Sequence, residues 1–518
     1  MRRVAGMLFK ALLLHKKKKQ SAASFPFTQG IGHLLATARK SSDFRQHSLT
    51  NEPGMFVLSY YNSLIDEQKL RRHVLQRFQE EYANPDNQAE LENLHQWIPI
   101  EDIAVMDDIT KIESKLLKGY AILQIRENDS QCALINLSNI QAGLRSQNDA
   151  ENEFSVVGPK IGFVENIDIN LHLLRQQINT PKLILKEFKI GNISNTKVVV
   201  AYIEGITNEK HVETMTQRLQ GIDFDVVFDS SQIHQIISDN STTPFPLSLS
   251  TERLDRAVWS LINGQVAVFS EGSPYVVTAP STLLDFFISP EDYFLPWIIA
   301  SSFRLIRIFG VMFSVFASSI YIAVLTFHYE MIPRVLLIPL SFSRHNVPFT
   351  PVLEVLFLEI TIELLREAGA RLPTKVGQTL GIVGGIVIGQ ASVEAALTSN
   401  VLLIIVALSA LASFTTPIYK MSNTIRFLRF PLILLAAIWG GLGIVLGICF
   451  LIAHLTKLES LGTPYTVPLY PFRAKDMLDS IIRAPFSVTT KRPSHLRPKS
   501  IWRYHPNNPA KKRNEFDE

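Results

Sequence analysis

IFGVMFSVFASSIYIAVLTF, residues 308–327, is a run of 20 residues without Asp, Glu, Lys or Arg. At about 1.5 Å per helical residue, such a run crosses the roughly 30 Å hydrocarbon core of a bilayer. Residues 395–419 and 430–453 share this property, whereas charged residues recur every few positions up to about residue 290. The contrast predicts an α/β soluble N-terminal region followed by an all-α polytopic membrane domain.

The bulk composition agrees with two regions of different character. The chain has 518 residues, of which 47% are hydrophobic and 19% charged, so it is too long for one domain and too apolar for a simple soluble enzyme. A formal net charge of +4 gives no support for nucleic-acid binding. The two cysteines, Cys132 and Cys449, are too few for a disulfide framework and argue against a cysteine-based metal site. We predict no metal and no cofactor.

Composition shifts divide the chain into five predicted segments. These are a disordered basic N-terminus (1–54), a first α/β subdomain (55–150), a second α/β subdomain with a connector to the membrane (151–290), a helical transmembrane domain (291–470) and a basic C-terminal tail (471–518). Strands and helices alternate in both subdomains, which favours α/β layers around a mixed sheet. The basic ends are either solvated or in contact with anionic lipid headgroups.

The apolar pattern of the membrane domain predicts about five spans. They lie near residues 308–327, 347–365, 376–398, 401–419 and 431–455, with a shorter apolar piece at 331–342. That piece contains Pro333 and Pro339 and is predicted to be re-entrant or interfacial. With the N-terminal region in the cytoplasm, the flanking Lys and Arg residues obey the positive-inside rule. Five spans would nevertheless place the basic tail on the opposite face, so either one segment is miscounted or the tail is an exception.

Glycines recur at every fourth position in the third predicted span. Gly377, Gly381, Gly385 and Gly389 line up along one helix face, which lets a second helix approach closely within a membrane. Gly443 and Gly447 form a similar pair in the last span. The spacing predicts tight helix packing, and it does not distinguish packing within one chain from packing between subunits.

Carboxylates inside apolar spans are the candidate ion-path residues. The second span contains Glu354, Glu359 and Glu363, of which the last two share a helix face, and Gln390 with Glu394 share a face of the third. A charged side chain at the centre of a membrane helix costs about 2.5 to 3.5 kcal/mol on insertion scales, so it needs water, ions or protein partners. The glutamates of the second span therefore indicate a cation path or a polar lock between helices. The alternative is an amphipathic helix at the membrane surface with its glutamates in solvent.

Sequence motifs of common enzyme classes are absent. We find no phosphate-binding glycine loop, nucleophile elbow, zinc-protease motif or dinucleotide signature. His172, His211 and His234 occur singly, which is typical of surface or half-buried side chains and not of metal ligands. We predict no catalytic residue and no enzymatic activity.

Long segments of the chain resemble a known family. They are GPKIGFVENIDINLHLLR (158–175), AYIEGITNEK (201–210), FFISPEDYF (286–294), LLREAGARLP (364–373), IVGGIVIGQASVEAAL (382–397) and PFRAKDMLDSIIRAPF (471–486). In content and order they are similar to the A subunit of the GerA-type nutrient germinant receptors of endospore-forming bacteria. The resemblance covers roughly residues 97–486.

The resemblance implies a receptor subunit in the spore inner membrane that triggers germination, with its N-terminal region in the cytoplasm. Its partners would be a transporter-like B subunit, a lipoprotein C subunit and membrane lipids. Several A subunits would form an oligomeric nutrient-gated cation channel. On this view Glu359, Glu363 and Glu394 lie near the ion path, and Gly381 and Gly385 lie at a helix contact needed for assembly.

Two other functions remain open on the residues alone. A secondary transporter would bind its substrate at broken helices and intramembrane carboxylates, but it would need an inverted repeat, which the roughly five spans do not show. A membrane-tethered enzyme would need a cleft of acids or histidines within residues 55–290.

Overall fold

The computed structural model describes residues 30–49, 56–82, 91, 94–100, 102–125, 131–139, 153 and 157–504. These residues form two five-stranded antiparallel sheets with helices, then a helix bundle, and then a two-stranded antiparallel sheet of Glu459–Ser460 and Thr463–Pro464. The predicted fold class is therefore confirmed. Residues 1–29, which are predicted to be disordered, lie outside the described residues. The predicted domain boundary at residue 150 also lies outside them.

The first sheet has five strands in the order β1-β2-β4-β5-β3. The strands are β1 Phe44–Ser48, β2 Val57–Tyr61, β3 Ile103–Met106, β4 Tyr120–Gln124 and β5 Cys132–Asn136. The helices are α1 Ile31–Ala38, α2 Glu67–Lys69, α3 Gln76–Tyr82, α4 Leu94–Trp97 and α5 Ile109–Leu116, with a π-helical turn at Leu70–Leu75 between α2 and α3. Two apolar clusters, one on each face, bury alternate side chains of the central strands.

The predicted disorder of residues 1–54 is wrong for residues 30–48. Helix α1 buries Leu34 and Leu35 against the sheet, and β1 pairs with β2 along its whole length. Between them Asp43 accepts hydrogen bonds from Arg175 Nε and Nη2, both at 2.6 Å, and both side chains are buried. Because this pair joins the first subdomain to the second, the segment is ordered by contacts that lie far away in sequence.

The second sheet has the order β6-β7-β9-β10-β8. Its strands are β6 Leu183–Ile190, β7 Thr196–Ile203, β8 Leu249–Thr251, β9 Val266–Ser270 and β10 Val276–Ala279, and its helices are α6 Ile167–Gln177, α7 Glu209–Gln220, α8 Ser230–Ile236 and α9 Leu254–Asn263. The prediction of a mixed sheet is wrong, since all strand pairs of the described residues are antiparallel. The alternation of strands and helices predicted layers of helices on a sheet, as observed. The neighbouring strands β7 and β9 are separated in sequence by three helices and β8, and they pair antiparallel without the strand–helix–strand crossover of a parallel sheet.

Seven α-helices form the bundle that follows the two five-stranded sheets. They are α10 Trp297–Thr326, α11 Arg334–Arg344, α12 Pro351–Arg371, α13 Thr374–Glu394, α14 Asn400–Ser413, α15 Tyr419–Trp439 and α16 Gly441–Lys457. Two of these described helices, α10 and α15, are long and apolar enough to cross a membrane, and α14 and α16 are shorter apolar helices. The side chains of α11, the piece predicted to be re-entrant or interfacial, are all exposed or half-buried.

Apart from α11, consecutive helices of the bundle run in alternating directions. At the end next to the sheets, Thr424 Oγ1 at the start of α15 donates to the carbonyl oxygen of Pro244 at 2.5 Å. At the opposite end, Gly440 after α15 lies against Phe327 at the end of α10. Six helices alternate in this way, so the chain leaves the bundle on the side where it entered.

The predicted single span 431–455 is wrong because the chain reverses at Gly440. Its φ of +56° lies in the region that favours glycine, and α15 and α16 then pack as a hairpin. A Cβ at Gly443 would lie 2.0 Å from the carbonyl oxygen of Leu435, so this position requires glycine. The extra reversal returns the tail to the side of the sheets, where Ser460 Oγ donates to Leu247 O at 2.6 Å. With six alternating helices instead of five predicted spans, the start of the bundle and the tail lie at the same end of the bundle.

Candidate functional site in the helix bundle and its connector

The centre of the bundle holds one buried ion pair. Arg429 of α15 donates from Nη1 to Glu359 Oε2 of α12 at 2.9 Å, and each side chain is 4% exposed. Ser318 Oγ donates to Glu359 Oε1 at 2.7 Å, and Arg429 Nη2 donates to Ser314 Oγ at 2.7 Å. Both serines lie on α10. The pair and its serines therefore hold α10, α12 and α15 together with neutral total charge.

The other two candidate glutamates of α12, Glu354 and Glu363, also bind arginines. Glu354 is fully buried and accepts from Arg344 Nη2 at 2.8 Å and from the backbone N–H of Ser399 at 3.2 Å. Glu363 pairs with Arg366 one turn further along α12. A helix at the membrane surface with all its glutamates in solvent is thus wrong for Glu354 and Glu359. These contacts form a polar lock, and a role in an ion path stays a prediction.

The glycines of α13 have more open space around them than the glycines of the hairpin between α15 and α16. Cβ atoms built at Gly381 and Gly385 would have no atom within 4 Å among the described residues, apart from the backbone of the helix itself. At Gly377 such an atom would lie 2.9 Å from Gly369 O, and at Gly389 it would lie in ordinary contact with Leu403. The middle of the stripe is therefore open within one chain, whereas Gly443 and Gly447 pack tightly against α15.

The polar end of α13 is exposed. Gln390 Nε2 donates to Glu394 Oε1 at 2.8 Å, which confirms that the two side chains share a face. Both residues are exposed, so Glu394 differs from the buried glutamates of α12 in having no arginine at salt-bridge distance among the described residues. Among the candidate glutamates, Glu394 is therefore the one whose charge no described arginine neutralises.

A large cavity of the bundle is apolar. Its volume is about 780 Å³, and it lies between α10, α11, α14 and α16, with Phe313, Leu336 and Ile405 among its walls. Tyr321 also lines it, and the hydroxyl of Tyr321 lies 3.2 Å from Ser399 Oγ. This lining offers hydrocarbon contacts and few of the hydrogen bonds by which a polar nutrient is recognised.

The connector, residues 280–296 between β10 and α10, contains a second buried charge cluster. Asp292 is fully buried and accepts from Arg304 Nε at 2.9 Å and from Arg307 Nη1 and Nη2 at 2.8 and 2.6 Å. Burial raises the pKa of Asp292, but the two arginines outweigh burial and hold its pKa below the ordinary carboxyl value. The first turns of α10 are thus fixed to the connector by two arginines on one carboxylate.

The C-terminal segment joins the same cluster. Arg304 also donates to the carbonyl oxygen of Asp479, and Tyr293 Oη donates to Asp479 Oδ1 at 3.2 Å. Two of the long sequence segments, 286–294 and 471–486, therefore meet at the base of α10. Arg304 and Arg307 are among the flanking Lys and Arg residues that obey the positive-inside rule, and the sequence predicted no partner for them. Their position inside the start of an apolar helix was the available signal that they have buried partners.

Three histidines of the second subdomain, His172, His211 and His234, are buried. Burial, assisted by the nearby positive charges of Arg497 and His495, lowers the pKa of His211 to about 4. Burial and the charge of Lys420 lower the pKa of His234 to about 4, although His234 Nε2 also lies 3.0 Å from the carbonyl oxygen of Ser248. The expected surface or half-buried position is therefore wrong for all three. His172 Nδ1 lies 2.7 Å from the carbonyl oxygen of Ser63, which joins it to the first subdomain, and His211 Nε2 lies 3.5 Å from Thr463 Oγ1 of the C-terminal segment.

We expect acid to destabilise the protein through His211 and His234. A fall in pKa from 6.5 to about 4 corresponds to about 3 kcal/mol per histidine, since one pKa unit is about 1.36 kcal/mol. The unfolded chain binds the proton first, so stability is complete above pH 6.5 and is lost as the pH falls towards 4. Thermal unfolding at stepwise pH should show a smaller acid loss in His234→Gln. An unchanged pH dependence in this variant would contradict the assignment.

Comparison with known proteins identifies relatives along almost the whole chain. A model of the family described as Bacillus/Clostridium GerA spore germination protein matches residues 33–495. Spore germination protein GerQA of Bacillus cereus is 48% identical over 494 residues, which cover 95% of this chain and 98% of that protein. Spore germination protein GerIA of Bacillus cereus is 45% identical, with 94% of this chain and 72% of that protein covered.

More distant relatives give the same result. Spore germination protein KA of Bacillus subtilis (strain 168) is 37% identical over 438 residues, which cover 84% of this chain and 80% of that protein. A solved structure also aligns, the crystal structure of the N-terminal domain of the A subunit of the Bacillus megaterium spore germinant receptor GerK3. It covers 48% of this chain and 92% of its own, with 25% identity and a TM-score of 0.36. The sequence similarity to the germination proteins extends over both the sheets and the helix bundle.

Proposed function

Because this chain belongs to the Bacillus/Clostridium GerA spore germination protein family, we propose that it is a nutrient-sensing germinant receptor subunit of the spore inner membrane. In this proposal its N-terminal region lies in the cytoplasm, and it works with a transporter-like B subunit and a lipoprotein C subunit. Its task is to trigger germination and not to catalyse a reaction.

We further propose that several copies form a nutrient-gated cation channel. The open glycine face of α13 is the observation that carries this proposal. A bare helix face favours close packing with another helix, and within one chain Gly381 and Gly385 have no such neighbour among the described residues. A second copy of the chain would supply the missing helix.

The charges suggest where cations pass. Glu394 is exposed at the end of α13 next to Gln390, so we place these two residues near the mouth of the path. The other candidates, Glu354, Glu359 and Glu363, are bound to arginines, so in this state their charges are neutralised. In the proposal α12 supports the helices that line the ion path. If α12 moves during gating, its glutamates exchange their arginine partners.

Replacing Gly385 with leucine should abolish nutrient-triggered cation release from spores while the protein level holds. The new side chain meets open space within one chain, so folding is preserved, but it blocks the approach of a second helix. Cation release after nutrient addition and cross-linking between copies are the two measurements. Normal cation release and normal cross-linking in this variant would contradict a role of the glycine stripe in packing between copies.

Gly443→Leu provides the matched control. This glycine packs against the backbone of α15, so its replacement should lower the amount of folded protein itself. A loss of release at normal protein level in Gly385→Leu, together with a loss of protein in Gly443→Leu, separates assembly from folding. Equal protein loss in both would mean that the stripe packs within one chain.

A flux assay tests the proposed function as a whole. Cells that express this chain with its B and C partner subunits should release cations when a nutrient mixture is added and not without it. Nutrient-gated flux supports the channel. Uptake of the nutrient without cation flux would support the secondary transporter instead.

A further inference from the structure

The C-terminal segment exposes many large apolar side chains. We call the following set the tail surface: Leu469, Tyr470, Phe472, Leu478, Ile482 and Phe486. Phe472 is 70% exposed and Tyr470 is 63% exposed. The short helix α17 Ala474–Ser480 lies within this segment. Apolar exposure of this density in one segment indicates a contact with a membrane or another apolar partner.

Hydrogen bonds fix the depth of the tail surface relative to α10. Ser301 Oγ donates to the carbonyl oxygen of Arg483 at 3.0 Å, and Arg304 donates to the carbonyl oxygen of Asp479. The segment therefore lies beside the first two turns of α10. Exposed Trp297, one of the aromatic residues that favour the membrane interface, marks the start of that helix.

The length of α10 places those first turns at the membrane surface. Its 30 residues extend about 45 Å at about 1.5 Å per residue, which exceeds the roughly 30 Å of hydrocarbon. The uncharged residues 308–327 account for the hydrocarbon core, so residues 297–307 lie in the headgroup region. The tail surface lies at the same level.

The charges of the segment complement lipid phosphates. Lys475 is exposed, and Arg473 is partly exposed. Asp476 instead accepts from Ser494 Oγ at 2.6 Å, and Asp479 accepts from Tyr293, so both carboxylates are bound inside the protein. The exposed charge on α17 is therefore positive and lies next to exposed apolar side chains, which is the pattern of interfacial helices on anionic membranes.

We propose that the tail surface is a membrane anchor that inserts its apolar side chains among the headgroups of anionic lipids, with Lys475 and Arg473 at the phosphates. The anchor goes beyond the receptor function, because it depends on the fold and not on a channel or a nutrient. It also connects lipid to the buried cluster at the base of α10 through Asp479. A change in the lipid surface would thus act directly on the first membrane helix.

Lipid-quenching fluorescence on the full chain tests the anchor. The exposed Cys449 is replaced by alanine, Cys132 stays as a thiol buried in the first sheet, and one accessible cysteine is introduced as Phe472→Cys or Leu478→Cys. It is labelled with an environment-sensitive fluorophore, and the protein is reconstituted in phosphatidylglycerol vesicles. Emission should shift to the blue and lose most of its intensity with headgroup-nitroxide lipids. Glu213→Cys on α7, exposed on the soluble region, is the control and should show neither change. Ala474→Cys, exposed on α17, is a further label site if a first variant does not fold.

Two results would overturn the anchor. One is emission at 472 and 478 that behaves like the control at 213 in vesicles containing intact protein. The other is efficient disulfide cross-linking between copies at these positions with no quenching by lipid, which would assign the tail surface to a contact between subunits. Strong quenching in phosphatidylglycerol that weakens in Lys475→Gln supports the proposed role of the charge.

Discussion

Replacing Arg429 with methionine is expected to destabilise the helix bundle by about 3 to 5 kcal/mol, because it leaves the carboxylate of Glu359 buried without a counter-charge. Ser318 still donates to Glu359, but one neutral hydrogen bond does not replace a guanidinium. The purified protein should unfold at a clearly lower temperature, and less of it should elute as a single species from size-exclusion chromatography in detergent.

An exposed ion pair on α12, the helix that carries Glu359, gives the matched control. Arg371 binds Glu367 at 2.6 Å, with both side chains well exposed, so Arg371→Met should change stability little. The double variant Glu359→Gln with Arg429→Met should recover part of the loss, since it removes both buried charges. If Arg429→Met unfolds at the same temperature as Arg371→Met, the buried pair does not hold the bundle together.

The sequence predicted the two-part architecture because apolar runs of 20 or more residues are visible without knowledge of contacts. It did not predict the reversal at Gly440, since residues 431–453 carry no charged side chain and the pair Gly440-Gly441 lies among further glycines at 443 and 447 in the same run. Hydropathy measures the environment of a side chain and not the direction of the backbone. The error therefore arose at a left-handed glycine, where local conformation overrides a continuous apolar pattern.

The candidate site was predicted residue by residue but not pair by pair. The carboxylates of α12 were visible as costly groups in an apolar span, and the need for partners followed from that cost. Their partners were not visible, because Glu359 and Arg429 are 70 positions apart and meet only through packing of the bundle. The open middle of the glycine stripe likewise depends on which helices lie next to α13, and spacing alone does not give this information.

The connector links three parts of the molecule that are distant in sequence. Arg256 of α9 donates from Nη2 to the carbonyl oxygen of Ile288 at 3.0 Å, so the second sheet domain holds the connector from one side. Asp292 holds α10 through Arg304 and Arg307, and Asp479 brings in the C-terminal segment. The second sheet domain, the connector and the C-terminal segment are therefore all held at the base of α10.

Asp292→Asn is expected to break this link and to lower stability by about 3 to 5 kcal/mol, because two arginines lose their shared counter-charge while remaining largely buried. The lowered pKa of Asp292 means that its contribution is present above the ordinary carboxyl value and is lost only as the pH falls through the native pKa, so the deficit is complete at neutral pH. Thermal unfolding at pH 7 measures it, and Glu213→Gln, an exposed carboxylate on α7, is the control.

A second variant separates loss of the link from loss of the fold. The double variant Asp292→Asn with Arg307→Gln removes one of the two arginines that lose their counter-charge. The remaining arginine, Arg304, keeps its contacts with Asp479, so part of the stability should return. Nutrient-triggered cation release should stay impaired, since Arg307 no longer fixes α10 to the connector. Full recovery of release together with stability would show that the cluster only supports the fold. Recovery of stability without release would show that the connector transmits movement from the sheets to α10.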